Sequence, residues 1–119
     1  MRASQHKRDK YQILLRDKIN QIIRSSFNDT RLNFVSVTKV ELNNDYTEAK
    51  VFWDSFNPQD KDAITASLKK VAGATRSHLG RLLTVRQVPV IVFVYDTQFE
   101  SEQFIGQLLQ AESLEGRTF

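Results

Sequence analysis

The sequence predicts a single α+β domain over residues 1–119, with a three-stranded sheet packed on helices. Apolar residues recur at helical spacing in long segments, and the segments between them are rich in β-branched residues. A chain of 119 residues, 40% hydrophobic and 26% charged, is long enough to bury a core without disulfides, and it contains no cysteine. The predicted order is α-β-β-α-kink-α-β, followed by a C-terminal helix.

The first predicted helix covers residues 9–27. Its apolar stripe consists of Tyr11, Leu14, Leu15, Ile19, Ile22, Ile23 and Phe27. Residues 1–8 precede this stripe and are predicted to be a mobile basic leader. The helix is predicted to end at Asn28-Asp29-Thr30, residue types that favour caps and turns.

Two strands are predicted next, over residues 34–42 and 46–56, as an antiparallel hairpin around the turn Asn43-Asn44-Asp45. Along the first strand the alternation changes phase, because Val35 and Val37 share one parity while Val40 and Leu42 share the other. A bulge near Thr38-Lys39 would place all four on one face. In the second strand, Ala49, Val51 and Trp53 are predicted to face the core.

The second half of the chain begins with a helix start at Asn57-Pro58, where Asp60 and Asp62 complement the helix dipole. Gly73 interrupts the helical pattern, which resumes around His78, so we predict a kink or break there. Residues 90–95 lack polar alternation and predict a strand covered on both faces. A final helix is predicted over 98–111, with a frayed tail at 112–119.

The charges are segregated along the chain, although the net charge is only +3. Residues 1–31 contain eight basic and three acidic groups, and residues 69–88 contain five basic groups and no acid. Residues 32–68 and 89–119 are net acidic, at −3 and −4. If the two basic segments fold onto one side, they form a positive surface suited to phosphates, whereas two separate solvated helix faces are the simpler alternative.

The sequence offers no set of residues for catalysis or cofactor binding. The only histidines are His6 and His78, and His78 is predicted to be a partly buried helix residue. Cysteine and glycine-rich phosphate loops are absent, and no apolar run is long enough to span a membrane. The first ten residues also lack the apolar segment of a signal peptide. We therefore expect a cytoplasmic, non-enzymatic monomer without a cofactor, metal, small-molecule substrate or membrane partner.

The segment around Gly73 is the strongest candidate for binding a ligand. A helix that restarts there would expose backbone N–H groups to a phosphate, and the small residues Ala72-Gly73-Ala74 would let a sugar-phosphate backbone approach. The alternative is that these small residues only permit close helix packing. The predicted RNA-binding residues are Lys69, Lys70, Gly73, Arg76 and Arg81 here, with Lys7, Arg8, Lys10, Arg24 and Arg31 from the first basic segment.

Several segments resemble the bacterial ribosome-binding factor A family over nearly the whole chain. The matching residues are Asp29-Thr30-Arg31-Leu32, Asp45-Tyr46-Thr47-Glu48-Ala49-Lys50-Val51, Arg76-Ser77-His78-Leu79-Gly80, Arg86-Gln87-Val88-Pro89 and Phe93-Val94-Tyr95-Asp96. The resemblance implies a type II KH-like fold in which an Ala-x-Gly kink replaces the GxxG loop of KH modules. Family members usually have proline at Thr30 and alanine at Val71.

The resemblance also implies a function. Members of this family bind the small (30S) ribosomal subunit and assist late maturation of its 16S rRNA, including processing of the 5′ end, and they are linked to growth in the cold. One alternative is a general KH module for single-stranded RNA or DNA. Another is a protein-interaction adaptor that uses exposed aromatic residues such as Phe52 and Phe56.

Overall fold

The computed structural model describes residues 2–56, 58–83 and 87–97. It contains two α-helices, α1 (Arg2–Ser25) and α2 (Lys61–Leu82), and three strands, β1 (Val35–Leu42), β2 (Glu48–Ser55) and β3 (Val90–Tyr95). Short 3-10 helices, Thr30–Phe34 and Pro58–Asp60, precede β1 and α2. The predicted helix over 98–111 and the predicted frayed tail at 112–119 lie outside the described residues, as does Asn57.

The three strands form one mixed sheet in the order β1-β2-β3, with β1 and β2 antiparallel and β2 and β3 parallel. One face of this sheet, the inner face, packs on both helices in a single core. Its buried residues are Val35, Val37, Val40, Leu42, Ala49, Val51, Trp53 and Ile91, which meet Leu15, Ile19, Ile22 and Ile23 of α1 and Ile64, Leu68 and Leu79 of α2. The α+β architecture predicted from the sequence is confirmed.

The opposite, outer face of the sheet is more open than the sequence suggested. Val90 and Val92 of β3 point away from the inner face and are 47% and 39% exposed. The prediction that both faces of this strand are covered is therefore wrong for these residues. A run of β-branched and aromatic residues indicates high β-propensity, but it does not by itself show that other elements cover both faces of the strand.

Helix α1 begins at Arg2 rather than at residue 9, so residues 2–8 belong to the helix. Their mobility stays a prediction, but Arg8 is half-buried, with its guanidinium carbon 5.7 Å from the centre of the Tyr46 ring. Tyr11 also contacts Tyr46, with ring centroids 5.9 Å apart. These contacts join the N-terminal half of α1 to the hairpin turn.

The free edge of β1 is closed by amide side chains of α1. Asn20 donates from Nδ2 to the Val37 carbonyl at 3.1 Å and accepts from the Val37 N–H at 2.8 Å. Gln12 accepts from the N–H of Leu42 at 2.9 Å. Asn20 thereby replaces the peptide group of a missing neighbouring strand, which satisfies backbone groups that an edge strand would otherwise leave unpaired.

The bulge predicted near Thr38-Lys39 is confirmed. The β1–β2 register shifts between Val37 and Lys39, and Thr38 has no partner residue in it. The hydroxyl of Thr38 donates to Asp96 Oδ2 at 2.7 Å, just beyond β3. Asp96 and Asp54 are both buried, and burial raises the pKa of Asp54, with the nearby Asp96 carboxylate adding to the effect.

Replacing Asp54 by asparagine should stabilise the protein at neutral pH, by about 1 kcal/mol. Because its pKa is raised on folding, the native state binds the Asp54 proton more tightly than the unfolded chain does, so stability falls as pH rises through this pKa. The advantage of Asp54→Asn should therefore shrink as pH falls toward 3.8, the ordinary pKa of this group, and vanish well below it, where both states are protonated. Urea unfolding at a series of pH values from well below 3.8 up to 7 measures this.

The control for this substitution is Asp45→Asn in the hairpin turn. Hydrogen bonds from Thr47 lower the pKa of Asp45, so its replacement should not stabilise the protein at pH 7. A loss of stability for Asp54→Asn at pH 7 would contradict the interpretation, because it would mean that the charged carboxylate is favoured in the fold.

Helix α2 runs without interruption through Gly73, so of the predicted kink or break, the break into two helices is wrong, and a kink within the helix stays a prediction. Ile64 and Leu68 before the glycine, and Thr75 and Leu79 after it, are buried against the same core. The cost of a mid-helix glycine is only about 1 kcal/mol, which burial on both sides of it outweighs. No second helix start exists here, and the N–H groups after Gly73 belong to the helix.

Gly73→Ala should stabilise the protein by about 0.5–1 kcal/mol. A Cβ atom at Gly73 would meet no atom within 4 Å, and the residue is exposed, so alanine fits the helix without strain. Thermal unfolding followed by circular dichroism measures the change. A lower melting temperature for Gly73→Ala would show that the helix needs glycine at this position.

Candidate nucleic-acid interface

The exposed side of α2 carries cations separated by small residues. Two rows run along it at spacings of three and four residues, which places the members of each row on one line of the helix surface. The rows are Lys70-Ala74-Ser77-Arg81 and Lys69-Gly73-Arg76-Gly80, and all of these residues are exposed. Small side chains between cations leave room for a sugar-phosphate backbone to approach the helix.

A cleft lies beside this helix, between it and the segment that follows α1. It is lined by Phe27, Asn28, Asp29, Thr30, Arg31 and Val71, and its volume is about 640 Å³. We call it the loop cleft. Phe27 anchors the segment by packing its ring edge-on against His78 of α2, with ring centroids 5.8 Å apart. His78 is half-buried, as the sequence predicted.

Asp29 connects the loop cleft to α2. Its carboxylate accepts a hydrogen bond from the Ser67 hydroxyl and another from the Arg31 N–H at 3.0 Å. The bond from Ser67 lowers the pKa of Asp29 most, followed by the Arg31 N–H, and the charges of Arg31 and Lys70 lower it further. Asp29 is therefore ionised at neutral pH, and one cation from each basic segment lies close enough to act on its carboxylate.

The structure brings some of the predicted RNA-binding residues together and separates others. Arg31 and Lys70 lie close enough to Asp29 for their charges to lower its pKa, Lys69 is adjacent to Lys70, and Arg24 lies in the last turn of α1 before the loop cleft. The other predicted RNA-binding residues of α1 lie at the opposite end of the helix, near the hairpin turn, where Lys7 and Lys10 are exposed and Arg8 stacks on Tyr46. Lys10 and Arg24 are about 21 Å apart along the helix axis.

Arg76 has a structural contact that the sequence analysis did not anticipate. Its guanidinium donates from Nε and Nη2 to the carbonyl of Val88, at 3.1 and 3.0 Å. This pair of hydrogen bonds ties α2 to the segment that leads into β3. Replacing Arg76 would therefore disturb the fold as well as the charge, which makes it a poor test of RNA binding. Arg81, one turn further along α2, is exposed.

Two parts of this surface were missed by the sequence analysis. The bond between Asp29 and Ser67 joins residues far apart in sequence, and no local pattern signals it. The second is Phe34 at the start of β1, which is exposed beside Phe56, a residue that the sequence analysis did name. Its position was the available signal, since Phe34 precedes the inward-facing Val35 and therefore has the parity of the outer face.

Other site types are not supported in the part of the chain that the structure describes. Within residues 2–56, 58–83 and 87–97, no group of three or more histidine and acidic residues could hold a metal ion. In the same ranges, neither helix is long and apolar enough to cross a membrane.

The mixed three-stranded sheet with α1 and α2 on one face defines a KH-like α+β protein. Its elements follow the type II order along the chain, with the two predicted halves of α2 joined in one helix. Residues 7–109 match the family model of Ribosome-binding factor A, and the chain belongs to this family. The ribosome-binding factor A of Desulfitobacterium hafniense is 38% identical over 109 residues, covering 90% of this chain and 86% of that protein. That of Dechloromonas aromatica is 33% identical over 105 residues, covering 87% and 85%.

Solved structures share the fold. A crystal structure of ribosome-binding factor A from Thermus thermophilus has a TM-score of 0.68 at 19% identity, covering 74% of this chain and 93% of that one. A homology model of the Thermus thermophilus factor, fitted into a cryo-electron-microscopy map of a 30S complex, has a TM-score of 0.61 at 20% identity, covering 70% of this chain and 88% of that one. The resemblance found in the sequence is confirmed.

Proposed function

We propose that this protein binds the small ribosomal subunit and assists late maturation of its 16S rRNA, including processing of the 5′ end, with a contribution to growth in the cold. The family membership supports the first part, as does the similarity to a factor fitted into a map of a 30S complex. In this proposal the protein works in the cytoplasm, as a monomer and without a cofactor.

One observation carries the proposed mode of binding: the charges of Arg31 and Lys70, one from each basic segment of the sequence, both act on the carboxylate of Asp29. Together with Arg24, Lys69 and Arg81 they form what we call the basic surface. Cations in such an arrangement bind phosphates without reading sequence, and they release counterions on binding. The loop cleft lies within this surface and admits an RNA backbone beside the cations.

The cations at the start of α1 make a second, separate contact in this proposal. Lys7 and Lys10 are exposed near the hairpin turn, and Arg8 is held over Tyr46. The distance along α1 is too large for a single phosphate to bridge both regions, so they would hold two parts of one folded rRNA. This requirement selects an RNA arrangement rather than a sequence.

The protein performs no covalent step in this proposal. A protein that binds one arrangement of the rRNA more tightly than others shifts the population toward it. Binding that depends on an immature arrangement is lost when the subunit matures, which gives a physical reason for release.

Co-sedimentation with isolated small subunits and with full ribosomes, across a series of KCl concentrations, tests the proposal. We expect binding to small subunits, weaker binding to full ribosomes, and an affinity that falls steeply with salt. Equal competition by unrelated single-stranded RNA would favour a general KH module instead. Binding insensitive to salt would favour an adaptor that uses Phe56, the more exposed of the two phenylalanines first considered for that role.

A further inference from the structure

Two phenylalanine rings are exposed at the end of the sheet opposite the hairpin turn. Phe34 is 45% exposed and Phe56 is 82% exposed. The N–H of Phe56 donates to the Phe34 carbonyl at 3.2 Å, so the two residues are neighbours that continue the β1–β2 pairing by one step. Hydrogen-bonded neighbours on antiparallel strands have Cα atoms about 5.5 Å apart, which places the rings within reach of one ligand.

Leaving these rings in water gives up stabilisation that burial would supply. Full burial of a phenylalanine side chain contributes about 1.5–3 kcal/mol, and single exposed apolar residues are common on protein surfaces. Two exposed phenylalanines at hydrogen-bonded neighbouring positions are a more specific feature, because one flat ligand can contact the π faces of both rings.

The charge beside the rings indicates which flat ligand. Arg31 and Phe34 are three residues apart in the 3-10 helix Thr30–Phe34, and residues at that spacing eclipse each other. Arg31 is part of the basic surface and lies in the loop cleft. In the strand that leads to Phe56, the nearest carboxyl group is that of Asp54, which is buried. An aromatic surface flanked by an arginine is the arrangement that binds an unpaired base together with its phosphate.

We infer that Phe34 and Phe56 form a stacking site for an unpaired nucleobase, with Arg31 contacting the adjacent phosphate. This inference rests on the proposed function, since it adds a base-binding site to a surface that otherwise contacts only the RNA backbone. An apolar segment of a protein partner is the competing ligand for the same rings.

The test uses the full chain and two labelled probes, a 12-nucleotide oligoadenylate and an abasic oligonucleotide of the same length. Fluorescence anisotropy at fixed salt should show tighter binding of the wild type to oligoadenylate. Phe56→Ala and Phe56→Leu should both weaken oligoadenylate binding about tenfold, while Phe56→Trp should retain it. None of these variants should change abasic binding. Val92→Ala, an exposed apolar truncation on β3, is the matched control and should change neither.

Three results would overturn the inference: equal wild-type binding of the two probes, full oligoadenylate binding by Phe56→Ala, or full binding by Phe56→Leu, which would indicate an apolar rather than a stacking contact. Thermal unfolding tests whether the variants fold. We expect that they do, because the Phe56 side chain is largely exposed and contributes little to the core. Free oligonucleotides separate this inference from the proposed function. If the wild type did not bind small subunits, the proposed function would be refuted. The preference for oligoadenylate over the abasic probe could still be measured, and it would test the stacking site alone.

Discussion

Replacing Arg31 and Lys70 together by glutamate should reduce the affinity for small subunits at least about 100-fold near physiological salt. Each reversal removes one cation from the basic surface and adds a charge that repels phosphate, beside an Asp29 that is already ionised. The slope of log affinity against log salt concentration should fall by about two, because two phosphate contacts are lost. Co-sedimentation across a salt series measures both quantities.

The matched control is the pair Lys39→Glu and Lys50→Glu. Both lysines are exposed on β1 and β2, away from the loop cleft, and the pair changes the net charge by the same amount. We expect this control to lose much less affinity, with an almost unchanged salt slope. Equal losses for the two pairs would show that the affinity follows net charge and that the basic surface has no special role.

Replacing Asn20 by leucine should destabilise the fold by about 3 kcal/mol, the largest stability effect we expect from a single polar residue. Leucine has a similar volume but cannot pair with the N–H and carbonyl of Val37, which Asn20 satisfies at 2.8 and 3.1 Å. Both backbone groups would then lie unpaired beneath α1. Unfolding in urea measures the loss, and it should lower the melting temperature by about 10 °C or more, at about 4–8 °C per kcal/mol.

Gln21→Leu provides the comparison for this variant. Gln21 follows Asn20 on α1 but is exposed, so its replacement should change stability by no more than about 0.5 kcal/mol. Asn20→Asp should give an intermediate loss, because a carboxylate accepts from the Val37 N–H but cannot donate to its carbonyl. If Asn20→Leu were as mild as Gln21→Leu, the edge of β1 would not depend on this amide.

The sheet could be predicted in detail because its signals are local. Side chains on a strand alternate between faces, so the change of parity between Val37 and Val40 required an extra residue, and the bulge lies at Thr38. The turn at 43–45 was equally readable, since asparagine and aspartate satisfy backbone groups there. Asn43 accepts from the Glu48 N–H at 3.0 Å, as such a turn requires.

The helices were predicted less well because their limits depend on distant contacts. Gly73 disfavours a helix locally, yet burial of Leu68 and Thr75 on either side holds α2 together. The start of α1 lies before the apolar stripe, and Arg8 in this part of the helix packs on Tyr46 of the distant hairpin turn. Both outcomes are tertiary effects that a window of sequence does not contain.

The candidate site was predictable in its charge and unpredictable in its geometry. Segregation of cations into two segments predicted a basic surface, and one cation from each segment, Arg31 and Lys70, lies close enough to Asp29 to act on its carboxylate. Which cations lie near Asp29 depends on its hydrogen bond with Ser67, which joins the loop cleft to α2. Arg76 illustrates the converse, since an exposed arginine in a basic segment donates to the Val88 carbonyl.

The absence of cysteine allows the placement of the basic surface on the subunit to be measured directly. A single cysteine at Thr30, an exposed residue of the loop cleft, can carry a tethered iron chelate that cleaves nearby RNA with hydroxyl radicals. We predict strong cleavage of 16S rRNA from Thr30→Cys and little from Lys50→Cys on the outer face of the sheet. Stronger cleavage from Lys50→Cys than from Thr30→Cys would contradict the proposed orientation.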